Sequence, residues 1–132
     1  MTDTSTKGPK KKLLWIEDDA LLCTVISKEL AVSEFDFILA NNGEEALSLL
    51  RGMVPDLVMV DLILPGKVDG FAVLEEMSKD PRLSDIPKIV LSNLSKPADM
   101  ERARKLGAAK FMVKAEMSLE SILEEIRRQI RH

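Results

Sequence analysis

The sequence predicts an α/β fold: a doubly wound parallel sheet of five strands covered by five helices. Short apolar runs such as residues 57–60 lack the alternation of a half-exposed strand, which indicates strands buried on both faces. A segment with apolar residues at helical spacing follows each run, and turn-forming residues separate the two patterns. The 132 residues are enough for one domain of this kind.

The five strands are predicted at residues 13–16, 35–40, 57–60, 86–91 and 109–113. Right-handed crossovers between parallel strands favour a sheet with helices on both faces. Among such sheets, five strands are typical of the flavodoxin-like type, so we expect the strand order 2-1-3-4-5.

Helical spacing predicts the buried residues of the first and third helices, and a capping pattern predicts the start of the second. In the third helix, Phe71, Leu74 and Met77 lie on one side. Asn42 and Glu45, three residues apart, predict a capping box for the second helix, which should run to about residue 50. The first helix is expected to bury five apolar residues: Leu21, Leu22, Val25, Ile26 and Leu30.

The last two helices have start signals of their own. Pro97 suits the first turn of the fourth helix, and Gly107 is expected just past its end. Ser118 is predicted to cap the fifth helix. The inner face of the fifth helix would comprise five apolar residues: Leu119, Ile122, Leu123, Ile126 and Ile130.

The composition excludes several classes of protein. The net charge of −3 argues against direct nucleic-acid binding, and no apolar run approaches the roughly 20 residues that cross a membrane. The single cysteine, Cys23, cannot form an intramolecular disulfide, which favours a cytoplasmic location. Its position in the first helix favours a buried, unreactive thiol. Residues 1–11 are predicted to form a disordered tail, followed by one domain at residues 12–132.

Polar side chains stand at the carboxyl ends of four predicted strands. Ligands bind outside this edge in doubly wound sheets, where strands 1 and 3 flank the point at which the order reverses. Each residue alone is common as a turn former or helix cap, so the prediction depends on all four groups meeting at one edge. The residues are Glu17, Asp18 and Asp19 after strand 1, Asp61 after strand 3, Ser92 and Asn93 after strand 4, and Lys114 after strand 5.

The residue types indicate metal-assisted phosphoryl chemistry. Crowded carboxylates repel one another unless a cation neutralises them, and oxygen ligands without His or Cys favour Mg²⁺. A carboxylate in such a site can act as a nucleophile and form an aspartyl phosphate. The Lys114 ammonium and the Ser92 hydroxyl would then neutralise oxygens of the transferring group.

Five motifs of the chain resemble the receiver domain of two-component response regulators. They are LWIEDD at 14–19, VMVDLILPG at 58–66, DGF at 69–71, IVLS at 89–92 and GAAKFMVK at 107–114. The resemblance covers about residues 12–130. The spacing also fits: 43 residues separate Asp18 from Asp61, 31 separate Asp61 from Ser92, and 22 separate Ser92 from Lys114.

The resemblance implies a role for each site residue. Asp61 would accept a phosphoryl group from a sensor histidine kinase or a histidine phosphotransfer protein. Mg²⁺ would be bound directly by Asp18 and Asp61, through water by Glu17, and by the backbone carbonyl of Ile63. Lys114 would pair with Asp61 or its phosphate.

The resemblance also implies an output. Ser92 and Phe111 would move together as a switch and reshape the surface formed by helix 4, strand 5 and helix 5. A downstream protein would bind this face, which could also form a homodimer. The domain would catalyse only its own phosphorylation and dephosphorylation.

The chain departs from the usual family pattern in three places. The loop between Asp61 and Gly70 is one residue longer, Ala115 stands where proline is common, and Asn93 replaces a small residue. A non-proline cis bond is costly, so a trans bond is expected before Ala115. The Asn93 amide is expected to face the phosphoryl group or solvent.

Two neighbouring positions bear on the lifetime of the phosphorylated state. Ile63 and Leu94, two residues after Asp61 and Ser92, are both apolar. In the family these positions admit or block the attacking water, so we expect a long-lived phosphoryl group.

Two alternative functions remain open from the sequence. A haloacid-dehalogenase-like phosphatase also uses Asp, Ser, Lys and Mg²⁺, but it needs a second acid where this chain has Ile63. A protein that kept the fold as an unphosphorylated scaffold is the other alternative.

Overall fold

The computed structural model describes residues 10–31 and 35–130 of the chain. Within these ranges, five parallel strands form one sheet in the order β2-β1-β3-β4-β5, which confirms the predicted topology. The strands are β1 (Lys11–Ile16), β2 (Phe35–Ala40), β3 (Leu57–Val60), β4 (Lys88–Ser92) and β5 (Lys110–Val113).

Five α-helices connect and follow the strands in the described part of the chain. They are α1 (Ala20–Ala31), α2 (Gly43–Gly52), α3 (Gly70–Lys79), α4 (Pro97–Lys105) and α5 (Leu119–Ile130). A single 3₁₀ turn, Lys114–Glu116, lies between β5 and α5. None of the described helices combines the length and the apolar character needed to cross a membrane.

The bounds of β2 and β3 agree with the predicted ones, and those of β1, β4 and β5 differ by one or two residues. β1 begins at Lys11, and residues 1–9 of the predicted tail lie outside the described residues. β4 begins at Lys88 and not at residue 86, because Pro87 has no N–H to donate to a neighbouring strand. The Pro87 carbonyl still accepts from the Val58 N–H at 3.1 Å, so pairing with β3 starts there.

Two apolar layers cover the sheet, one on each face. Alternate residues of β1 face opposite layers: Leu13 and Trp15 pack with α1 and α5, whereas Leu14 and Ile16 pack with α2, α3 and α4. The predicted inner faces of α3 and α5 are confirmed: Phe71, Leu74 and Met77 are buried in α3, and Ile122, Leu123 and Ile126 in α5, with Leu119 and Ile130 packed beside them.

The predicted inner face of α1 is partly wrong. Leu21 is 75% exposed and Val25 is 44% exposed, whereas Cys23 and Ile26 are buried and Leu22 is half-buried. The helix carries apolar residues along two neighbouring rows, and the sheet covers only one of them. The side chain of Leu30 lies outside the described residues.

Side-chain caps fix the starts of α2 and α5 as predicted. The Glu45 N–H donates to Asn42 Oδ1 at 2.7 Å. The return bond of the capping box reaches one residue further back, since Glu45 Oε1 accepts from the Asn41 N–H at 2.8 Å. In α5, the Ser121 N–H donates to Ser118 Oγ at 3.0 Å.

Candidate functional site

Backbone pairing between adjacent strands brings the predicted site residues to one edge of the sheet. β1 and β3 are paired up to Ile16 and Val60, and the Asp61 N–H then donates to the Ile16 carbonyl at 3.0 Å. The Glu17 N–H donates to the Ala40 carbonyl of β2 at 2.9 Å. The acidic residues therefore leave the sheet side by side, at the point where the strand order reverses.

Asp61 lies at the centre of the site with its carboxylate almost fully buried. Its Oδ1 accepts from the Ser92 hydroxyl at 2.6 Å and from the Ile63 N–H at 3.1 Å. Its Oδ2 accepts from Lys114 Nζ at 2.8 Å. The residues predicted after strands 3, 4 and 5 thus meet on one carboxylate.

Lys114 joins Asp61 to a second carboxylate. Its Nζ lies 2.9 Å and 3.0 Å from the two carboxylate oxygens of Glu17, which is fully buried. Burial alone lowers the pKa of Lys114, but the bonds to Asp61 and Glu17 outweigh it and raise the pKa above its ordinary value. The lysine is therefore charged at neutral pH.

Burial raises the pKa of Glu17, the opposite of its effect on Lys114. The hydrogen bond from Lys114 lowers the pKa of Glu17 but offsets only part of the increase, to which the nearby charge of Asp61 also contributes. A cation beside Glu17 would favour its charged form in the same way as Lys114 does.

Glu17, Asp18 and Asp61 form a cluster that can hold a metal ion. One carboxylate oxygen from each lies within 4.8 Å of the others. The donors are all oxygen, which suits a hard divalent cation. Glu17 Oε1 is buried, and its ion pair with Lys114 is accompanied by no well-directed hydrogen bond. These residues line an open cleft of about 430 Å³.

Asp19, the third acid of the run, has a different role. Its Oδ1 accepts from the Leu22 N–H at 3.0 Å, which is the bond of a helix cap at the start of α1. Its own N–H donates to Glu17 Oε2 at 3.0 Å. Glu17 and Asp18, and not Asp19, form the cluster with Asp61 that could hold a metal ion.

Asn93 is oriented by a contact that the sequence did not reveal. Its Oδ1 accepts from the backbone N–H of Ala115 at 2.8 Å, while the residue also lines the cleft beside Asp61. No cis peptide bond occurs in the described ranges, so the trans bond expected before Ala115 is confirmed. Asn93 and Ala115 both depart from the family pattern. These two departures were the only sign in the sequence that the residues contact each other.

The remaining predicted residues surround this centre. Ile63 is 53% exposed beside the cleft, and Leu94 is half-buried with its N–H 3.4 Å from Ser92 Oγ. Phe111 is half-buried, packs against the layer formed by α2, α3 and α4, and lines a second cleft beside α4.

The longer loop after Asp61 is held by the first turn of α2. Glu44 Oε2 accepts from the Lys67 N–H at 3.1 Å. Gly66, just before it, has a φ of +90°, a left-handed conformation that glycine adopts without strain. The loop therefore contacts α2 at Lys67, while its first part, Ile63 to Pro65, lines the cleft beside the carboxylates.

The chain is similar to proteins of one family over most of its length. The profile described as response regulator receiver domain matches residues 13–127. A probable transcriptional regulator, ycf27, from Porphyridium aerugineum is 36% identical over 123 residues, which are 92% of this chain and 50% of that protein. This chain thus spans about half the length of the curated relatives it matches.

Solved structures agree with the sequence relatives. The phosphorylated cyanobacterial phytochrome response regulator RcpA has a TM-score of 0.78 and 30% identity, with 90% of each chain covered. The Mn²⁺-bound form of the response regulator Rcp1 has a TM-score of 0.74 and 25% identity, with 92% of this chain and 89% of that one covered. With the residue pattern at the strand ends, these matches show that the chain belongs to the response regulator receiver domains of two-component signal transduction.

Proposed function

We propose that Asp61 is the phosphoacceptor of this receiver domain and takes a phosphoryl group from a histidine kinase or a histidine phosphotransfer protein. The observation that carries the proposal is the convergence on its carboxylate of the Ser92 hydroxyl at 2.6 Å and the Lys114 ammonium at 2.8 Å. These are the donors that a transferring phosphoryl group needs around a nucleophilic oxygen.

In the proposed transfer, an Asp61 carboxylate oxygen attacks phosphorus while the bond from phosphorus to the donor nitrogen breaks. The product is an aspartyl phosphate, and the donor imidazole keeps the electron pair of the broken bond. Lys114 and Ser92 exchange their contacts with the carboxylate for contacts with phosphoryl oxygens. The transferred phosphoryl group stays on Asp61 as an acyl phosphate until water hydrolyses it.

Mg²⁺ is the proposed cofactor. Asp18 and Asp61, with Glu17 beside them and the backbone carbonyl of Ile63, would hold it. Bound there, it would supply positive charge for the phosphoryl oxygens and relieve the repulsion among the acids. The Mn²⁺-bound form of Rcp1 supports a divalent ion at this kind of site.

The proposed output is a change of surface on α4, β5 and α5. Ser92 follows the phosphoryl group, and Phe111 moves with it from its half-buried position beside α4. A downstream protein, or a second copy of this chain, would bind the altered face. A switch of this kind needs only a new anion that biases two arrangements of one segment.

The apolar neighbours of the site support a long-lived phosphoryl group. Ile63 and Leu94 offer no polar atom in their side chains to orient an attacking water. For the same reason, the phosphatase alternative lacks its second acid at Ile63. The cytoplasmic location and the extent of the domain, residues 12–132, stay predictions.

Labelling by a small phosphodonor tests the proposed function. Wild-type protein treated with phosphoramidate and Mg²⁺ should gain one adduct of about 80 Da, whereas Asp61→Asn and wild type treated with a chelator should gain none. Correctly folded wild type without an adduct would instead indicate the scaffold. Release of many phosphates per protein would indicate a phosphatase.

A further inference from the structure

Asn93 and Ala115, to which the proposed transfer assigns no role, are joined by a hydrogen bond at the mouth of the site. We propose that Asn93 is a positioning residue, which holds the backbone of Ala115 and thereby places Lys114 for phosphoryl transfer. The inference rests on the proposed function of Asp61 and adds to it a residue that acts through Lys114.

The bond continues the link between β4 and β5 beyond the end of the sheet. The last paired residues of the two strands are Ser92 and Val113. Asn93 directly follows Ser92, and Ala115 is the second residue after Val113. Their contact, Ala115 N–H to Asn93 Oδ1 at 2.8 Å, therefore joins the two segments that carry Ser92 and Lys114.

The Ala115 N–H has no other partner available in its own turn. It lies in the first part of the 3₁₀ turn Lys114–Glu116, and the early N–H groups of a helical turn have no acceptor within that turn. The turn has no side-chain cap from Val113, the residue before it. A side chain from the neighbouring segment thus supplies the acceptor.

The position of this N–H determines the position of the catalytic ammonium. Lys114 directly precedes Ala115, and its Nζ contacts Asp61 and Glu17 at 2.8 to 3.0 Å. A displacement of Ala115 away from Asn93 would shift the adjoining Cα of Lys114 and lengthen these contacts. Asn93 therefore restrains Lys114 without touching the reacting atoms.

A competing explanation is that Asn93 binds the phosphoryl group directly, since it lines the same cleft as Asp61 and Lys114. Ala115→Pro separates the two because it removes the N–H and leaves Asn93 in place. Ala115→Gly is the matched control, since it shortens the same side chain and keeps the N–H.

The hydrogen bond can be tested in the unphosphorylated protein. In the proposed arrangement, Asn93→Ala accelerates amide hydrogen exchange at Ala115 about tenfold, while Asn93→Asp keeps the acceptor and the slow exchange. Melting temperatures of both variants should stay close to that of wild type because the pair is exposed. Unchanged exchange in Asn93→Ala would overturn the proposal.

The role in transfer is tested by the rate of phosphoramidate labelling. Asn93→Ala should lower the maximal rate roughly threefold to tenfold and leave the half-saturating phosphoramidate concentration unchanged, because a single positioning bond is lost. Asn93→Asp should restore the maximal rate, even if its charge raises the half-saturating concentration. Failure of this rescue would contradict a role through Ala115.

A double-mutant cycle completes the test. Asn93→Ala should have no further effect in the Ala115→Pro background and its full effect in the Ala115→Gly background. A full additional loss in the Ala115→Pro background would overturn the positioning role in favour of direct contact. Absence of labelling in wild type would overturn the proposed function itself, and this role with it.

Discussion

Lys114 is the side chain on which the balance of charge at the site depends. It is 14% exposed and faces Glu17 and Asp61, whose carboxylates are even less exposed. Two buried carboxylates side by side repel each other, and neither is exposed enough for water to stabilise its charge. The ammonium therefore stabilises the folded state by pairing with both carboxylates.

We predict that Lys114→Ala lowers the free energy of unfolding by about 3 kcal/mol in metal-free buffer, because it leaves a buried charge without its partner. Urea unfolding measures this loss. The double variant Glu17→Gln, Lys114→Ala should recover part of the stability, since it removes one of the two unpaired carboxylates. If the Lys114→Ala protein were as stable as wild type, Lys114 would not be needed to compensate the buried carboxylates of Glu17 and Asp61.

Lys88, at the opposite end of the sheet, is a second buried lysine. It is 2% exposed, and its Nζ donates to the Ser84 carbonyl at 2.9 Å. Burial lowers its pKa, and the neighbouring charge of Asp85 only partly opposes this. The folded protein therefore loses the Lys88 proton at a lower pH than the unfolded chain does.

The sign of the pH dependence follows from this difference. Below the folded-state pKa, Lys88 is charged in both states and burial carries its full cost. As the pH rises from there toward the ordinary value of 10.5, the unfolded chain binds more protons, so stability rises. We predict that wild type gains stability relative to Lys88→Met as the pH rises toward 10.5. A constant or falling difference in urea unfolding would refute this.

At the scale of elements, the start of α3 limits how the loop after Asp61 can run. The Asp69 carboxylate caps α3 through the Ala72 N–H at 2.9 Å, and the Gly70 N–H donates to the Leu62 carbonyl at 3.2 Å. A β-carbon on Gly70 would overlap the Asp61 carbonyl oxygen and lie 2.6 Å from Leu62 Cα. The helix thus packs directly against the backbone of Asp61 and Leu62.

We predict that Gly70→Ala lowers the free energy of unfolding by about 1–3 kcal/mol and slows labelling of Asp61, because the overlap must displace the backbone at that residue. Gly52→Ala at the end of α2 is the control, since nothing lies within 4 Å of its added carbon. It should be neutral or gain up to about 1 kcal/mol. Equal effects in thermal unfolding would argue against close packing at Gly70.

The elements also show where prediction from sequence reaches its limit. Strand and helix positions followed from periodicity and from the residues that start or stop a helix. The cap at Asn42 was predicted from its spacing to Glu45, and the cap at Ser118 from that residue alone. The inner face of α1 was not, because Leu21 and Val25 repeat at the same spacing as Leu22 and Ile26. Only the direction in which the helix lies on the sheet decides between the two rows.

At the scale of the whole molecule, the parallel sheet explains why the site could be predicted at all. Strand ends that are distant in the chain fall on one edge once the order is known, so Asp61, Ser92 and Lys114 were expected to meet. The bond from Ala115 to Asn93 was not expected, since it depends on the path of two loops. Periodicity describes regular elements and contains no information on such paths.

The same layout connects the site to the surface. Ser92 contacts Asp61, Ser92 and Val113 end adjacent strands, and Phe111 of β5 lines the cleft beside α4. In the proposed switch, a charge added at Asp61 would act through Ser92 on these neighbouring segments. The switch proposed here requires no motion of the remaining strands.

Mapping the phosphorylated residue tests the central claim most directly. Borohydride reduces an acyl phosphate to an alcohol, so treatment after phosphoramidate labelling converts the modified aspartate to homoserine, which peptide mass spectrometry locates. The account predicts homoserine in place of Asp61 alone, in wild type labelled with Mg²⁺ and not after chelation. Conversion at Asp18 or Glu17, or a borohydride-resistant phosphate on Ser92, would contradict it.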